Sequence, residues 1–426
     1  MPAIPLSGAS APPADWRAGD VEETPGPSVE PLRLYGLEFS LASASIDQLE
    51  EVARGIGRNS LAEQFSAAAD TEEVALLSTC HRVELIFIVR TSSALDRWRD
   101  VFPGNRARWV VREGPEVVDH LFRVAAGRES LAEGETEIRD QVRGASHRVV
   151  SRCPRPVLRY LLEEAASAAD HPNPSLRARS ISQIASDRVA ALVPSEGANV
   201  LVVGSGTIGR QVVERLAPRF RVTVVFHRQP PTETFLSATR ARAVPFDRLR
   251  EELARADAVV TAAKVGDHEL RARDFPSGRP VVVVDLGMPR NVDPDTRQVP
   301  NVRLVDLEEL YERSRTEWPP TSIDATVTRQ ARRSYVRLER RMLEPWIDTW
   351  RRAAEEVRSA ELATAYRFLG ELTPAQTAAV DRLTQRLVSR LLLAPTERLR
   401  ALPTGPAGEA QRRLAVALLD PRPAGT

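Results

Sequence analysis

The apolar residues Val200 to Val203 lead directly into Gly204-Ser-Gly-Thr-Ile-Gly209, and an amphipathic pattern continues to Leu216. A buried strand, a glycine turn and a helix in that order predict the first unit of a doubly wound parallel sheet. Gly204 and Gly206 fit a tight turn that lets the backbone approach a pyrophosphate, and Gly209 fits close packing of helix on strand. Ser205, Thr207 and Ile208 complete the loop, where the helix N-terminus attracts negative charge. Further strands are expected at residues 222–226, 258–261 and 281–285, alternating with helical stretches. Such a unit serves a dinucleotide; a bare strand-to-helix turn without a ligand is the alternative. The next strand ends Phe226-His227-Arg228, where an NAD site would carry Asp or Glu for the ribose hydroxyls. A guanidinium at Arg228 suits a 2′-phosphate, which favours NADPH; an ordinary surface charge is the other reading.

The rest of the chain divides around this unit. Residues 1–31 are rich in Pro, Ala, Ser, Gly and Glu and read as a disordered tail. Residues 32–175 read as an α/β domain. A strand is expected at 32–37, a helix from 46, two strand-like runs within 74–90, and helices at 116–127 and 137–150. Residues 176–318 hold the glycine-loop unit. After Pro319-Pro320, residues 323–369 are nearly free of Gly and Pro, with Pro345 the one interruption. A second helical run covers 374–393, and a shorter one follows Pro395. Long helices of this kind pair with another chain or pack along other domains. Residues 403–426 turn Pro/Gly/Ala-rich again and read as a loose tail.

Composition excludes some classes. The 426 residues carry a formal net charge of +1, so any polyanion must meet a local basic patch. The Arg-rich stretch 329–358 offers one, and also reads as a solvated helix face. No apolar run approaches the roughly 18 residues of a membrane span, and the N-terminus lacks a signal-peptide pattern. A cytoplasmic protein is expected. Its two cysteines, Cys80 and Cys153, have no zinc or disulfide spacing, and no metal site is expected. Cys153 reads as structural, and His147, His171 and His268 as surface residues.

The chemistry concentrates in Ser78-Thr-Cys-His-Arg-Val-Glu84, a polar turn between the two strand-like runs. His81 and Arg82 beside Cys80 are expected to lower its pKa and raise the thiolate fraction. Taken alone, Cys80 is compatible with an inert loop thiol or a nucleophile. Downstream, residues 120–141 gather His120, Ser130, Glu135 and Gln141 around a glycine-punctuated turn between helices.

In these residues the chain resembles the glutamyl-tRNA reductase family. Residues 78–84 are similar to the family's Ser-Thr-Cys-Asn-Arg-Thr-Glu motif, and residues 120–142 to its His-Leu-x-x-Val-Ala-x-Gly-Leu-Asp-Ser and Gly-Glu-Pro-Gln-Ile run. The Gly204 loop, His227-Arg228, residues 285–294 and the C-terminal residues 383–400 also resemble the family, so the likeness spans about 33–402 in one order. It implies a multidomain α/β protomer with an α/β catalytic domain, a Rossmann-type NADPH domain, and a long spinal helix (319–402) carrying a helical dimerisation domain. It implies the first step of the five-carbon route to 5-aminolevulinate and tetrapyrroles: reduction of charged glutamyl-tRNA to glutamate-1-semialdehyde. By the resemblance Cys80 attacks the ester and forms a thioester, His120 orients or transfers a proton, and Thr79, Arg82, Ser130, Glu135 and Gln141 surround the glutamate. Arg82 is then the partner of its side-chain carboxylate. A homodimer and an aminomutase partner are implied. Departures are Phe39 for the family's His, His81 for Asn, Arg128 for an apolar residue, Glu129 for Asp, Thr136 for Pro and Glu137 for Gln. They leave open a paralogue that reduces another aminoacyl-tRNA or acyl thioester, and a non-catalytic scaffold.

Overall fold

A computed structural model describes residues 32–58, 61–101, 109–131, 135, 137–170, 179–263, 269–276, 278–317, 325–403, 408, 410–412 and 414–415. The expected tail 1–31, His171, His268 and Thr136 lie outside the described residues.

The first sheet is antiparallel. Strands β1 (Arg33–Ser40), β2 (Thr71–Ser78), β3 (Arg82–Val89), β4 (Val110–Glu113) and β5 (Val150–Ser151) lie in the order β4-β1-β3-β2-β5. The central strand β3 is buried along its whole length, which is why 82–89 reads as a nearly continuous apolar run. β2 and β3 form a hairpin in which Ser78 pairs with Val83. The connecting residues Thr79, Cys80 and His81 are held by Thr79 N–H donating to the Arg82 carbonyl at 2.9 Å. Strand parity sorts the side chains. Leu34, Ile86 and Ile88 meet the helices Pro115–Ala125, Glu137–Ser146 and Val157–Ala168 on one face. Leu37, Phe39, Val83, Leu85 and Phe87 face the helix Ile46–Arg58 on the other, in a core continuous with that of the second sheet. The expected helix 137–150 stops at Ser146, because Val150 and Ser151 pair with β2.

The second sheet is wholly parallel. β6 (Asn199–Val203), β7 (Arg221–Phe226), β8 (Arg242–Pro245), β9 (Ala258–Thr261), β10 (Val281–Asp285) and β11 (Val302–Val305) lie in the order β11-β10-β9-β6-β7-β8. Strand order therefore reverses between β6 and β9, which opens a crevice at their C-terminal ends. Pattern reading anticipates the four central strands; the four-residue edge strands β8 and β11 carry Arg242 and Arg303 and escape it.

The two sheets are joined at residues 285–294. Asp285 Oδ2 accepts from the backbone N–H of Asn291 and Val292, both at 2.9 Å, and Oδ1 accepts from Gly287 N–H at 2.9 Å. That fold-back presents Arg290, whose guanidinium donates to Glu50 at 3.0 and 3.1 Å and also pairs with Asp47.

A 45-residue spine, Ala325–Leu369, runs about 68 Å. Its first half packs Ala331 and Leu338 onto the first sheet's helices. The helix Pro374–Arg400 returns along it, tied by Arg358–Asp381 at 2.6 Å and Arg400–Glu344 at 2.7 Å. The expected break at Pro395 does not occur: Pro395 lies inside that helix, as Pro345 lies inside the spine. Each proline removes one N–H, a small loss within so many helical bonds. The segment after 403 is not loose throughout, since Arg412 is buried against Glu339 and donates to the Pro403 carbonyl at 2.6 Å. Among the described residues no helix is long and apolar enough to cross a membrane.

Candidate active site

The hairpin turn of the first sheet faces the glycine loop of the second across a cleft of about 1750 Å³. Thr79, Cys80, Glu135 and Gln141 line one wall. Gly204, Ser205, Gly206, Thr207, Ile208, His227 and Arg228 line the other, with Ala262 and Ala263 after β9 at the floor. The thiol and the glycine loop, about 125 residues apart in sequence, thus share one space.

Each glycine of the loop has its own geometric reason. Gly204 sits at φ 115°, and a Cβ there would lie 2.8 Å from the Ala262 carbonyl oxygen. At Gly209 a Cβ would lie 2.0 Å from the Gly204 carbonyl oxygen, so helix and strand touch backbone to backbone. Nothing lies within 4 Å of a Cβ built on Gly206. That open space lies at the uncapped N-terminus of the helix Thr207–Leu216, whose N–H groups are available to an anion. Arg228 is exposed at the rim. His227 stacks on Phe246, with ring centroids 4.0 Å apart, and meets Glu269 at 2.5 Å.

On the other wall the sulfur is not the ready thiolate that its neighbours suggest. Burial, then the Glu135 carboxylate, pushes the half-buried Cys80 thiol up to about 12, against Arg82. Arg82 has little to spare: its guanidinium donates to Glu84 at 2.9 Å and also meets Glu129. Glu135 itself rises to about 7, by burial first and by Glu137 second. The nearest ring to the sulfur is His81, whose Nδ1 lies 3.4 Å from Sγ. Burial and the adjacent Arg82 push His81 down to about 3, so it is neutral. Cys153 stands apart, half-buried, pushed up to about 11 by burial and Glu73. His147 is exposed.

Arg82, Ser130 and His120 are not among the residues that line the cleft. Arg82 and Glu84 share a face of β3 with Glu38 and Ser40 of β1, the face covered by the helix that carries His120. There His120 Nε2 lies 3.1 Å from Glu84 and Nδ1 2.9 Å from Glu129. These approaches are too bent for good hydrogen bonds, so Coulomb attraction carries them. Burial opposes the charge, yet Glu84 and Glu129 hold the imidazolium up to about 9. Arg112 meets Glu38, and Arg123 meets Glu129 at 2.7 Å and also Asp119. Arg82, expected as the partner of a substrate carboxylate, is here engaged by Glu84 and Glu129. Phe39 is likewise not a pocket residue, because its parity turns it into the opposite core against Trp109, centroids 5.3 Å apart.

Glu38, Glu84 and His120 lie close enough to hold a metal ion, their ligand atoms within 4.8 Å of one another. The void there is about 10 Å³ and the carboxylates are engaged by Arg82 and Arg112, so the trio fits a charge lattice better than a metal. Sequence reasoning missed Arg148 and Arg210, which bring positive charge into the cleft. The helix Ile181–Leu192, which adds Ile181 to the cleft wall, was also missed; Ser180 caps it by accepting from Gln183 N–H at 3.2 Å. That N-cap serine was the available signal.

Three family profiles match in order. Residues 37–172 match the glutamyl-tRNA(Glu) reductase N-terminal domain, 184–313 shikimate/quinate 5-dehydrogenase, and 323–419 the glutamyl-tRNA(Glu) reductase dimerisation domain. Glutamyl-tRNA reductase 2 of a Nocardioides species is 32% identical over 415 residues, covering 88% of this chain and 90% of that protein. The chain belongs to the glutamyl-tRNA reductase family. A second glutamyl-tRNA reductase, from Kineococcus radiotolerans, is 29% identical over 91% of this chain and 94% of its own length. The solved glutamyl-tRNA reductase of Methanopyrus kandleri is 24% identical with a TM-score of 0.46, covering 91% of this chain and 97% of that one. As a member of this family the chain is an oxidoreductase, with a nucleotide-binding domain and a dimerisation domain.

Proposed function

We propose that this chain reduces the glutamyl ester of charged tRNA to glutamate-1-semialdehyde with NADPH, through a thioester on Cys80. The observation that carries the reading is the shared cleft: the only thiol beside the glycine loop, among the described residues, faces that loop. Space at Gly206, the free helix N-terminus and Arg228 at the rim fit a dinucleotide with a 2′-phosphate. His227 on Phe246 forms a flat shelf beside that rim. When bound, NADPH supplies the hydride that turns the thioester into the aldehyde and frees the sulfur.

The chain's own residues do the rest. Cys80 attacks the acyl carbon, and the tRNA ribose oxygen departs. Glu135, near neutrality and in the same cleft, receives the thiol proton and returns it to the leaving oxygen. Thr79 and Gln141 offer polar atoms to the aminoacyl group; Gln141 Oε1 is buried without a protein partner. Ser130 Oγ is likewise buried and unpartnered, and is proposed as a further polar contact for the aminoacyl group. His120 and Arg82 act through the lattice that supports the hairpin. The exposed Leu383, Leu387, Leu391 and Leu393 on the returning helix give a homodimer its apolar face. Charged tRNA as donor places the protein in the cytoplasm, and the reactive aldehyde suits hand-off to an aminomutase.

A second reading concerns the donor. Glu137 and Asp140 line the wall beside Cys80 and repel a side-chain carboxylate, which favours a different aminoacyl-tRNA or acyl thioester. One experiment separates the two. The full-length protein is incubated with glutamyl-tRNA without NADPH, and the Cys80 peptide is weighed by mass spectrometry. A glutamyl adduct that NADPH discharges as aldehyde supports the first reading; no adduct, with a known reductase acylated alongside, refutes it.

A further inference from the structure

The residue in contact with the sulfur is His81, and its role follows from the atoms around it. Its ring is buried, 2% exposed, between the hairpin and the helix Leu307–Glu317, where Tyr311 lies roughly parallel at 6.5 Å between centroids. Nε2 lies 3.3 Å from Nε of Arg82. The Glu129 carbonyl beside the ring accepts from Arg82 Nη2, while Arg82 Nε–H, a donor without acceptor capacity, is aimed at Nε2; with Nε2 offering its lone pair, the single proton of the neutral ring sits on Nδ1. That nitrogen is the one 3.4 Å from Cys80 Sγ.

We propose that His81 is a catalytic residue of this site, a neutral donor whose Nδ1–H bonds Cys80 Sγ and stabilises the sulfur as it becomes a thiolate. It is not the base, because Arg82 occupies the lone pair and opposes a second proton on the ring. The inference rests on Cys80 being the nucleophile. In the acylation step the S–H bond breaks and its proton passes to the Glu135 carboxylate. A bond from sulfur to the acyl carbon forms as the acyl carbon–oxygen bond breaks, and the departing oxygen takes the proton from Glu135. Nothing is oxidised or reduced in this step. Arg82 gains a purpose here: fixed by Glu84, it sets the tautomer of His81 and acts on the sulfur one residue removed.

Two substitutions at one position test this. His81→Leu keeps apolar bulk and removes the N–H; His81→Asn loses bulk but can place an amide N–H near the same point. The readout is the rate at which iodoacetamide alkylates Cys80 in the full-length protein at pH 8, followed by mass of the Cys80 peptide. The leucine variant should be about tenfold slower, and the asparagine variant within about threefold of the parent, the scale of one hydrogen bond to a forming anion. Packing alone would reverse that ranking, because leucine fills the site better. Equal rates in all three proteins, equal loss in both variants, or leucine faster than asparagine each overturn the proposal. Iodoacetamide needs no tRNA, so failure of the glutamyl-tRNA reading leaves this ranking intact, and failure of the ranking leaves the Cys80 adduct intact.

Discussion

The cleft at Cys80 and the charge lattice at His120 are built from one hairpin, and a single residue, His81, separates Cys80 from Arg82. They solve opposite problems. In the lattice, Arg82, Arg112, Arg123 and protonated His120 face Glu38, Glu84, Glu129 and Asp119. In the cleft, the thiol, the Glu135 carboxyl and the Gln141 oxygen are held in costly states with few protein partners. A buried network in which every charge faces an opposite one is rigid and chemically quiet, whereas groups without such partners at its edge are ready to bind and react. On the proposed function, the lattice is the support and the cleft is the site. Substitutions in the first should therefore damage stability, and those in the second should damage chemistry.

Cys80→Ser gives the largest expected effect. Reduction should fall about 1000-fold or more, since the remaining oxygen is a far poorer nucleophile. Because the thiol is half-buried and near-isosteric with serine, the melting temperature should stay within about 2 °C of the parent. A large loss of stability would mean that Cys80 belongs to the lattice after all.

The mirror case is His120→Leu. It leaves Glu84 and Glu129 short of one cation in a buried setting, with an expected cost of about 3–5 kcal/mol in urea unfolding. The pH dependence gives a sharper signature. His120 is raised from its ordinary 6.5 to about 9, so its contribution is complete below about 6.5 and is lost as pH rises through about 9. The parent should lose on the order of 3 kcal/mol across that window, and the leucine variant should be flat over it. A parent with no such slope would show that His120 is uncharged and that the lattice is not what holds it.

How much of this contrast is legible in sequence depends on parity. The hairpin 71–89 and the strand–Gly204–helix unit can be read because each couples an apolar run to a turn that only certain residues permit. The company of His120 can be read only once β3 is known to begin at Arg82. From there, alternation puts Arg82 and Glu84 on the face of Ile86 and Ile88, and Cys80 in the turn outside it. Motif adjacency alone places all of them in one pocket. Phe39 is misplaced for the same reason, being one residue off the face of Glu38. Pro395 reads as a stop because proline is costly in a helix, yet the helix Pro374–Arg400 passes through it.

Glu135→Gln sharpens the cleft side of the comparison. Its carboxyl is raised from 4.5 to about 7, so ionising it in the fold carries a penalty that builds between those values. The glutamine variant should be about 1–2 kcal/mol more stable than the parent at pH 8, with the difference vanishing towards pH 4.5. Acylation of Cys80 should nevertheless slow, because the thiol proton has lost its acceptor. A variant both more stable and slower is the behaviour of a site residue; one less stable would move Glu135 into the support.

The smallest effect is expected at the cofactor rim, the part of the cleft farthest from the lattice in kind, where solvent screens every charge. Arg228 is exposed. Arg228→Ala should weaken NADPH binding about fivefold, roughly 1 kcal/mol, and leave NADH binding within error, because only the 2′-phosphate loses a partner. Fluorescence titration with both nucleotides at low and high salt measures it, and the NADPH effect should shrink as salt rises. An equal loss for both nucleotides would assign Arg228 to the shared pyrophosphate and return the choice of NADPH to His227 and its shelf on Phe246.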